Sequence, residues 1–91
     1  MATVKLYGNL RGLVPDYAMQ IDAPVISDLL RILVTEHEAL EDALFDENGL
    51  RPHIKIMVNG HDIQLSAGFE TPVHEDDLVA IFPPIAGGSQ I

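Results

Sequence analysis

Apolar and polar residues alternate with a period of two near the start of the chain, and this period predicts β-strands. Residues 4–7 place Val4 and Leu6 on one face, and residues 17–21 repeat the alternation. The link between them is rich in glycine and contains a proline, which breaks the pattern and favours turns. The two segments therefore predict an N-terminal hairpin.

The same alternation returns in the second half of the chain. Residues 54–58 alternate in this way, and Asn59-Gly60, a strong signal for a hairpin turn, follows at once. Residues 61–63 are therefore predicted to form the returning strand. The apolar run 78–82 predicts a last strand, which the following two prolines end because proline has no N–H group for the sheet.

Between these strands the period changes to that of an amphipathic helix. The apolar residues recur three and four positions apart, at Ile26, Leu29, Leu30, Leu33 and Val34. This stripe predicts a helix over about residues 25–37. A second, weaker helical stretch is predicted to follow and to end at Asn48-Gly49, since glycine often closes a helix in the left-handed conformation.

The order of these elements predicts an α+β fold in which one main helix packs across a mixed sheet. A chain of 91 residues is too short for two separate cores, so we expect one domain. The first and last strands are both apolar on one face. We therefore expect them to lie side by side at the centre of the sheet.

The composition excludes several classes of function. Five Lys and Arg residues stand against fourteen Asp and Glu residues, a net charge of −9 that repels the phosphates of nucleic acids. The absence of cysteine excludes disulfides, thiolate metal sites and cysteine catalysis. No apolar run approaches the roughly 20 residues that span a bilayer, and the N-terminal sequence is unlike a secretion signal. We expect a cytoplasmic protein with no nucleic-acid or membrane partner.

The polar residues do not assemble into a complete catalytic or metal site. The histidines lack metal-binding spacing and lie in polar or turn-like surroundings, where side chains usually face solvent: His37, His53, His61 and His74. The acidic run 75–77 could bind a hard cation, but carboxylates in a loop usually form a solvated turn. We therefore expect no bound metal and no bound cofactor.

The C-terminal segment carries the most distinctive pattern. It leaves the last strand through two prolines, which hold an extended course, and reaches two glycines, which have no side chains. Its sequence is Phe82-Pro83-Pro84-Ile85-Ala86-Gly87-Gly88. Such a segment can thread a narrow channel, whereas the two glycines alone would also be typical of a frayed terminus.

The segment 76–88 resembles the ending of the MoaD/ThiS family of ubiquitin-like sulfur carriers, and most of all the MoaD side of that family. Residues 4–11, 25–30 and 58–60 also match, so the resemblance covers nearly the whole chain to Gly88. It implies a ubiquitin-like β-grasp domain with about five strands over residues 1–84. Residues 85–91 would form a flexible tail.

The resemblance also implies a carrier that is not itself an enzyme. In such carriers a ubiquitin-activating-type adenylyltransferase uses Mg-ATP to adenylate the carboxylate of the second glycine, here Gly88, and sulfur then replaces AMP. The thiocarboxylate gives its sulfur to an acceptor enzyme, which for MoaD-like members is the molybdopterin synthase large subunit. Gly87 would let the tail thread the partner's channel. The resemblance places docking at Tyr7, Phe82, Pro83, Pro84 and Ile85.

The chain departs from this family after the second glycine. Carriers that act directly end there, whereas this chain continues with Ser89-Gln90-Ile91. An amide at Gly88 leaves no carboxylate to adenylate. We therefore expect a protease to cut between Gly88 and Ser89, and the candidate is a zinc metallopeptidase of the type that processes ubiquitin-like tails.

Two other functions stay open from the sequence. Gly88 could form an isopeptide bond to lysines of target proteins, which would make the chain a ubiquitin-like modifier that starts from the same acyl-adenylate. The chain could instead be an interaction domain that never uses its tail.

Overall fold

The alternating segments form strands, and the longer apolar stripe forms a helix. The computed structural model describes residues 1–83. In chain order its strands are β1 Ala2–Leu6, β2 Ala18–Ile21, β3 Phe45–Asp46, β4 Gly49–Leu50, β5 Lys55–Val58, β6 His61–Asp62 and β7 Leu78–Phe82. Its α-helices are α1, Ile26–Glu36, and α2, Glu38–Leu44.

Five of these strands form one mixed sheet in the order β2-β1-β7-β5-β6. The central pair β1 and β7 runs parallel, with Val4 opposite Val79 and Leu6 opposite Ile81. The other neighbours pair antiparallel. The α+β class, the five-stranded mixed sheet and the central position of the first and last strands are therefore confirmed.

Both helices contribute to the core on one side of this sheet. Leu29 and Leu33 of α1 and Leu40 of α2 are fully buried. The sheet contributes its alternate residues, including Val4 and Ile81, to the same core. Each fully buried aliphatic side chain of this kind stabilises the fold by roughly 1.5 to 3 kcal/mol. Within residues 1–83, no helix combines the length and the apolar character that crossing a membrane requires.

The prediction that the second helix ends at Asn48-Gly49 is wrong. α2 ends at Leu44, and β3 and β4 then form a small antiparallel hairpin. The Asp46 carboxylate accepts a hydrogen bond of 2.8 Å from the Asn48 N–H group and closes the turn. Gly49 has a φ of 113°, which favours glycine. The glycine therefore marks a special backbone position, but it belongs to a hairpin.

Other boundaries move by one or two residues. The first strand ends at Leu6, one residue before its predicted end, because a 3-10 helix begins at Gly8 and runs to Leu13. The returning strand stops at Asp62, whose carboxylate accepts the Gln64 N–H group at 2.9 Å and starts a 3-10 turn.

The Asn59-Gly60 turn joins β5 to β6 as predicted, with Val58 opposite His61. The Asn59 side chain also ties this turn to the central strand. Its amide donates to the Asp77 carboxylate at 2.9 Å, and its carbonyl oxygen accepts from the Leu78 N–H group at 2.9 Å. One side chain thus fixes the turn against the start of β7.

Asp77 is held as a carboxylate by this cluster. The backbone N–H group of His74 donates to it at 2.8 Å, and this bond, followed by that of the Asn59 amide, keeps the pKa of Asp77 below its usual range. The His74 Nδ1 atom lies 3.5 Å from the same carboxylate. The charged form of Asp77 therefore stabilises the folded state more than the unfolded state.

We expect Asp77→Asn to lower the free energy of unfolding by about 1 to 2 kcal/mol at neutral pH, because an amide cannot accept both N–H groups as a carboxylate does. The contribution is complete above the unfolded aspartate pKa of about 3.9 and is lost as pH falls through the lower folded pKa. Urea unfolding at about pH 7 and about pH 2 should therefore show the difference from the original chain shrinking in acid.

The exposed neighbour Asp76 supplies the control for this measurement, since asparagine tolerates its φ of 70°. Asp76→Asn should change the free energy of unfolding by less than about 0.5 kcal/mol. If the difference in free energy of unfolding between Asp77→Asn and the original chain stays constant across the pH range, the assigned role of the carboxylate is contradicted.

Candidate functional site

The face of the sheet that points away from the core, called the outer face below, combines apolar side chains with lysines. On the three middle strands β1, β7 and β5 its residues alternate with the buried ones. They are Thr3, Lys5, Lys55, Met57, Leu78, Ala80 and Phe82. Ala80 lies between Lys5 on one neighbouring strand and Met57 on the other. The outer face is therefore an apolar band with positive charge beside it.

Tyr7 and Phe82 meet at the end of this band. Their rings stack with centroids 4.5 Å apart and an angle of 12° between the planes. The Tyr7 N–H group donates to the Ile81 carbonyl oxygen at 3.1 Å, which extends the pairing of the central strands by one residue. Each ring covers one face of the other, so both side chains are half-buried. The structure brings the two predicted docking aromatics together, and their role in docking stays a prediction.

The outer face differs in charge from the chain as a whole. Lys55 pairs with Asp62 at 2.8 Å, and its hydrogen bond is the largest cause that lowers the pKa of the Asp62 carboxyl, followed by the Gln64 N–H group. Lys5 occupies the middle of the face, opposite Ala80. Two of the chain's five cationic side chains thus lie on one face of a protein with a net charge of −9. Because Asp62 balances the charge of Lys55, the remaining positive charge of the outer face comes from Lys5.

Pro83 lies next to the two stacked aromatic residues. It is half-buried and packs against Gly8, the residue after Tyr7. Three of the predicted docking residues, Tyr7, Phe82 and Pro83, are therefore contiguous at one end of the sheet. The other predicted site residues lie outside the described residues: Pro84, Ile85, Gly87, Gly88 and Ser89.

The histidines form no common site. His53, His61 and His74 are exposed, as predicted, whereas His37 is half-buried at the junction of α1 and α2. In the part of the chain that the structure describes, no three or more His, Asp or Glu side chains are grouped so that they could hold a metal ion.

The ThiS family matches residues 4–88 of the chain. The chain belongs to this family. Its match begins within β1 at Val4, runs through β7, the stacked aromatics and the segment that follows them, and stops at Gly88. The identification as a MoaD/ThiS-family ubiquitin-like protein is therefore confirmed.

Individual proteins agree with this assignment. Small archaeal modifier protein 1 of Haloferax volcanii is 33% identical over 88 residues, which cover 92% of this chain and 97% of the relative. A putative sulfur carrier protein of Archaeoglobus fulgidus is 36% identical over 74 residues, which cover 77% of this chain and 83% of the relative.

Solved structures confirm the β-grasp fold. A chain in the crystal structure of the Amycolatopsis orientalis BexX/CysO complex superposes with a TM-score of 0.84 at 25% identity, and the match covers 97% of this chain and 100% of that one. The protein is thus a ubiquitin-like member of a family of small carriers and modifiers.

Proposed function

We propose that this protein carries sulfur as a thiocarboxylate on Gly88, after removal of Ser89-Gln90-Ile91. The observation that carries the proposal is the end of the family match at Gly88, three residues before Ile91. The curated relative that is a putative sulfur carrier supports it. The protein then acts as the carrier, and its partner enzymes supply the catalysis.

The proposed chemistry needs a free carboxylate at Gly88. That carboxylate attacks the α-phosphorus of Mg-ATP on an adenylyltransferase of the ubiquitin-activating type, and pyrophosphate leaves. Hydrosulfide, as the sulfur donor, then attacks the acyl carbon. The bond to AMP breaks, and the thiocarboxylate, AMP and one proton result. ATP and magnesium belong to the activating enzyme in this scheme.

The outer face is the proposed docking surface for these enzymes. The stacked rings of Tyr7 and Phe82 lie directly before the tail, so a partner that holds them also receives the segment that leads to Gly88. Pre-organised aromatic side chains are common anchors in protein interfaces. The solved BexX/CysO complex, in which a similar chain takes part, supports a carrier of this fold that docks on a partner protein.

The acceptor of the sulfur is proposed from the MoaD-like ending of the chain. It would be the molybdopterin synthase large subunit, or another acceptor enzyme of cofactor or metabolite biosynthesis. The protease that frees Gly88 is proposed to be a zinc metallopeptidase.

The test uses a chain made to end at Gly88, the activating enzyme encoded in the same genome, Mg-ATP and sodium sulfide. Intact mass should rise by the difference between sulfur and oxygen, and fragmentation should place the change on Gly88. The matched control is the chain with Gly88→Ala, whose methyl group must fit a channel made for glycine. A mass that never changes with the glycine-ended chain would refute the sulfur-carrier proposal.

A second function, conjugation to proteins, is favoured by the 33% identity to small archaeal modifier protein 1. In that case a lysine amine attacks the same acyl-adenylate and an isopeptide bond forms as AMP leaves. Cells that express the tagged protein should then contain larger covalent species that disappear with the Gly88→Ala variant. Such conjugates without any thiocarboxylate would make the protein a modifier alone.

A further inference from the structure

Gly8 is the point at which the first turn touches the last described residue. It follows Tyr7 directly and has a φ of 61°, in the left-handed region that favours glycine. A Cβ atom built on Gly8 would lie 2.6 Å from Cγ and 3.1 Å from Cδ of Pro83. Real Cβ atoms do not approach a carbon atom as closely as 2.6 Å. Any side chain at this position would therefore displace the proline ring.

Within residues 1–83, this contact lies beyond the last backbone hydrogen bond between the central strands. The regular pairing ends with Leu6 opposite Ile81, and the Tyr7 N–H group makes one further bond to the Ile81 carbonyl oxygen. Pro83 has no N–H group and cannot extend the pairing by donating a bond of its own. The packing of its ring against Gly8 is the contact that follows the last of these hydrogen bonds.

Two successive contacts thus fix the end of β7. The Tyr7 and Phe82 rings stack at the first position past the paired strands, and Gly8 and Pro83 pack at the second. Because the ring of proline fixes its own φ, the seat of that ring sets where the Pro83 carbonyl carbon lies and thereby limits the direction in which the chain continues. Gly88 is five residues further along, at most about 17 Å away in chain length.

We propose that Gly8 is a positioning residue: by seating the Pro83 ring it sets the direction in which the chain leaves the sheet and so aims Gly88 at the activating enzyme's active site. The inference rests on the proposed adenylation of Gly88. The inference adds to the proposed function a residue that is far from the reacting carboxylate in sequence. The Gly88 carboxylate must meet ATP while the docking residues are held by the enzyme, and a displacement of about 1 Å at a reacting group can cost a large factor in rate.

The experiment compares Gly8→Ala with Gly68→Ala in a chain that ends at Gly88. Gly68 has a φ of 58°, almost that of Gly8, but a Cβ atom there would have no heavy atom within 4 Å. Both variants therefore carry the same left-handed strain, and only Gly8→Ala pushes on Pro83. Any additional fall in the melting temperature of Gly8→Ala relative to Gly68→Ala therefore measures the displacement of Pro83.

The rate of adenylation is measured by exchange of labelled pyrophosphate into ATP, with the activating enzyme encoded in the same genome. We expect Gly8→Ala to lower kcat about tenfold or more with little change in KM, because the stacked rings and the strands of the outer face stay in place while the reacting end is misplaced. Gly68→Ala should stay within about twofold of the original chain. Equal losses in the two variants, or none in Gly8→Ala, would overturn the proposal.

Pro83→Ala completes a double-mutant cycle. Once the ring is gone, adding Gly8→Ala should cost no further activity. Independent, multiplying losses would show that Gly8 does not act through Pro83.

A second readout needs no activating enzyme and separates this inference from the proposed function. We expect the backbone amide NMR resonances of Ile85 and Ala86 to shift in Gly8→Ala and to stay in place in Gly68→Ala. Unshifted resonances in Gly8→Ala would refute the positioning role, even if Gly88 is adenylated. Shifted resonances with a Gly88-ended chain that is never adenylated would refute the proposed function and leave the control of the chain's direction supported.

Discussion

A chain that retains Ser89-Gln90-Ile91 will form no adenylate with an activating enzyme that adenylates the same chain ending at Gly88. The reason lies in the functional group at Gly88. Followed by Ser89, its carbonyl belongs to an amide, whose resonance makes the oxygen a poor nucleophile and which has no carboxylate to offer. Exchange of labelled pyrophosphate into ATP should therefore fall to the background without the protein.

A chain made to end at Gly87 is the matched control for this result. It has a free carboxylate but is one residue shorter, so it separates the need for the functional group from the need for correct placement. We expect it to be adenylated far more slowly than the chain that ends at Gly88. Equal adenylation of the full chain and the Gly88-ended chain would refute the need for processing.

The sheet could be predicted from the sequence because its signal is local. Val4 and Leu6 on one strand and Val79 and Ile81 on another alternate with less buried residues, and a sheet covered on one face by helices requires that alternation. Two strands with the same strongly apolar inner face both need the most buried positions. Their central position follows from that requirement.

The β3–β4 hairpin could not be predicted because its local signal has two meanings. An Asn-Gly pair is common both at the end of a helix and in a hairpin, because glycine readily takes the positive φ that Gly49 has here, and only packing decides between the two. Leu44 is fully buried, and the Arg51 N–H group donates to its carbonyl oxygen at 2.7 Å. That bond joins residues seven positions apart, and the periodicity of the sequence does not indicate it.

In the candidate site, too, the features with a local sequence signal could be predicted and the contact between distant residues could not. The alternation together with the family resemblance placed Tyr7 and Phe82 on one face of neighbouring strands, and the stacking of their rings follows from the register. The contact between Gly8 and Pro83 joins residues 75 positions apart, and nothing near Gly8 in the sequence indicates it. A glycine in a turn-rich segment is expected to serve the turn, so its second role becomes visible only in three dimensions.

Phe82→Asp should weaken binding of the activating enzyme by about 100-fold, or about 3 kcal/mol, because it removes an aromatic anchor and places a charge in an apolar contact. The fold should tolerate the change. Phe82 is half-buried on the outer face, so an aspartate at this position keeps contact with solvent and lies opposite a cationic residue, Lys55. The lost stacking on Tyr7 should cost about 0.5 to 1.5 kcal/mol of stability.

Phe69→Asp provides the matched control, since it makes the same chemical change on the opposite side of the molecule. Phe69 is 40% exposed and lines a groove of about 340 Å³ beside α1 together with Val34 and Phe45. Isothermal titration should show normal affinity for Phe69→Asp and a large loss for Phe82→Asp, with melting temperatures recorded for both. Equal affinity in the two variants would show that the enzyme does not dock on the stacked pair. A much larger drop in melting temperature for Phe82→Asp would show that Phe82 supports the core. Since the two variants carry the same charge, a loss confined to Phe82→Asp must come from its position on the outer face.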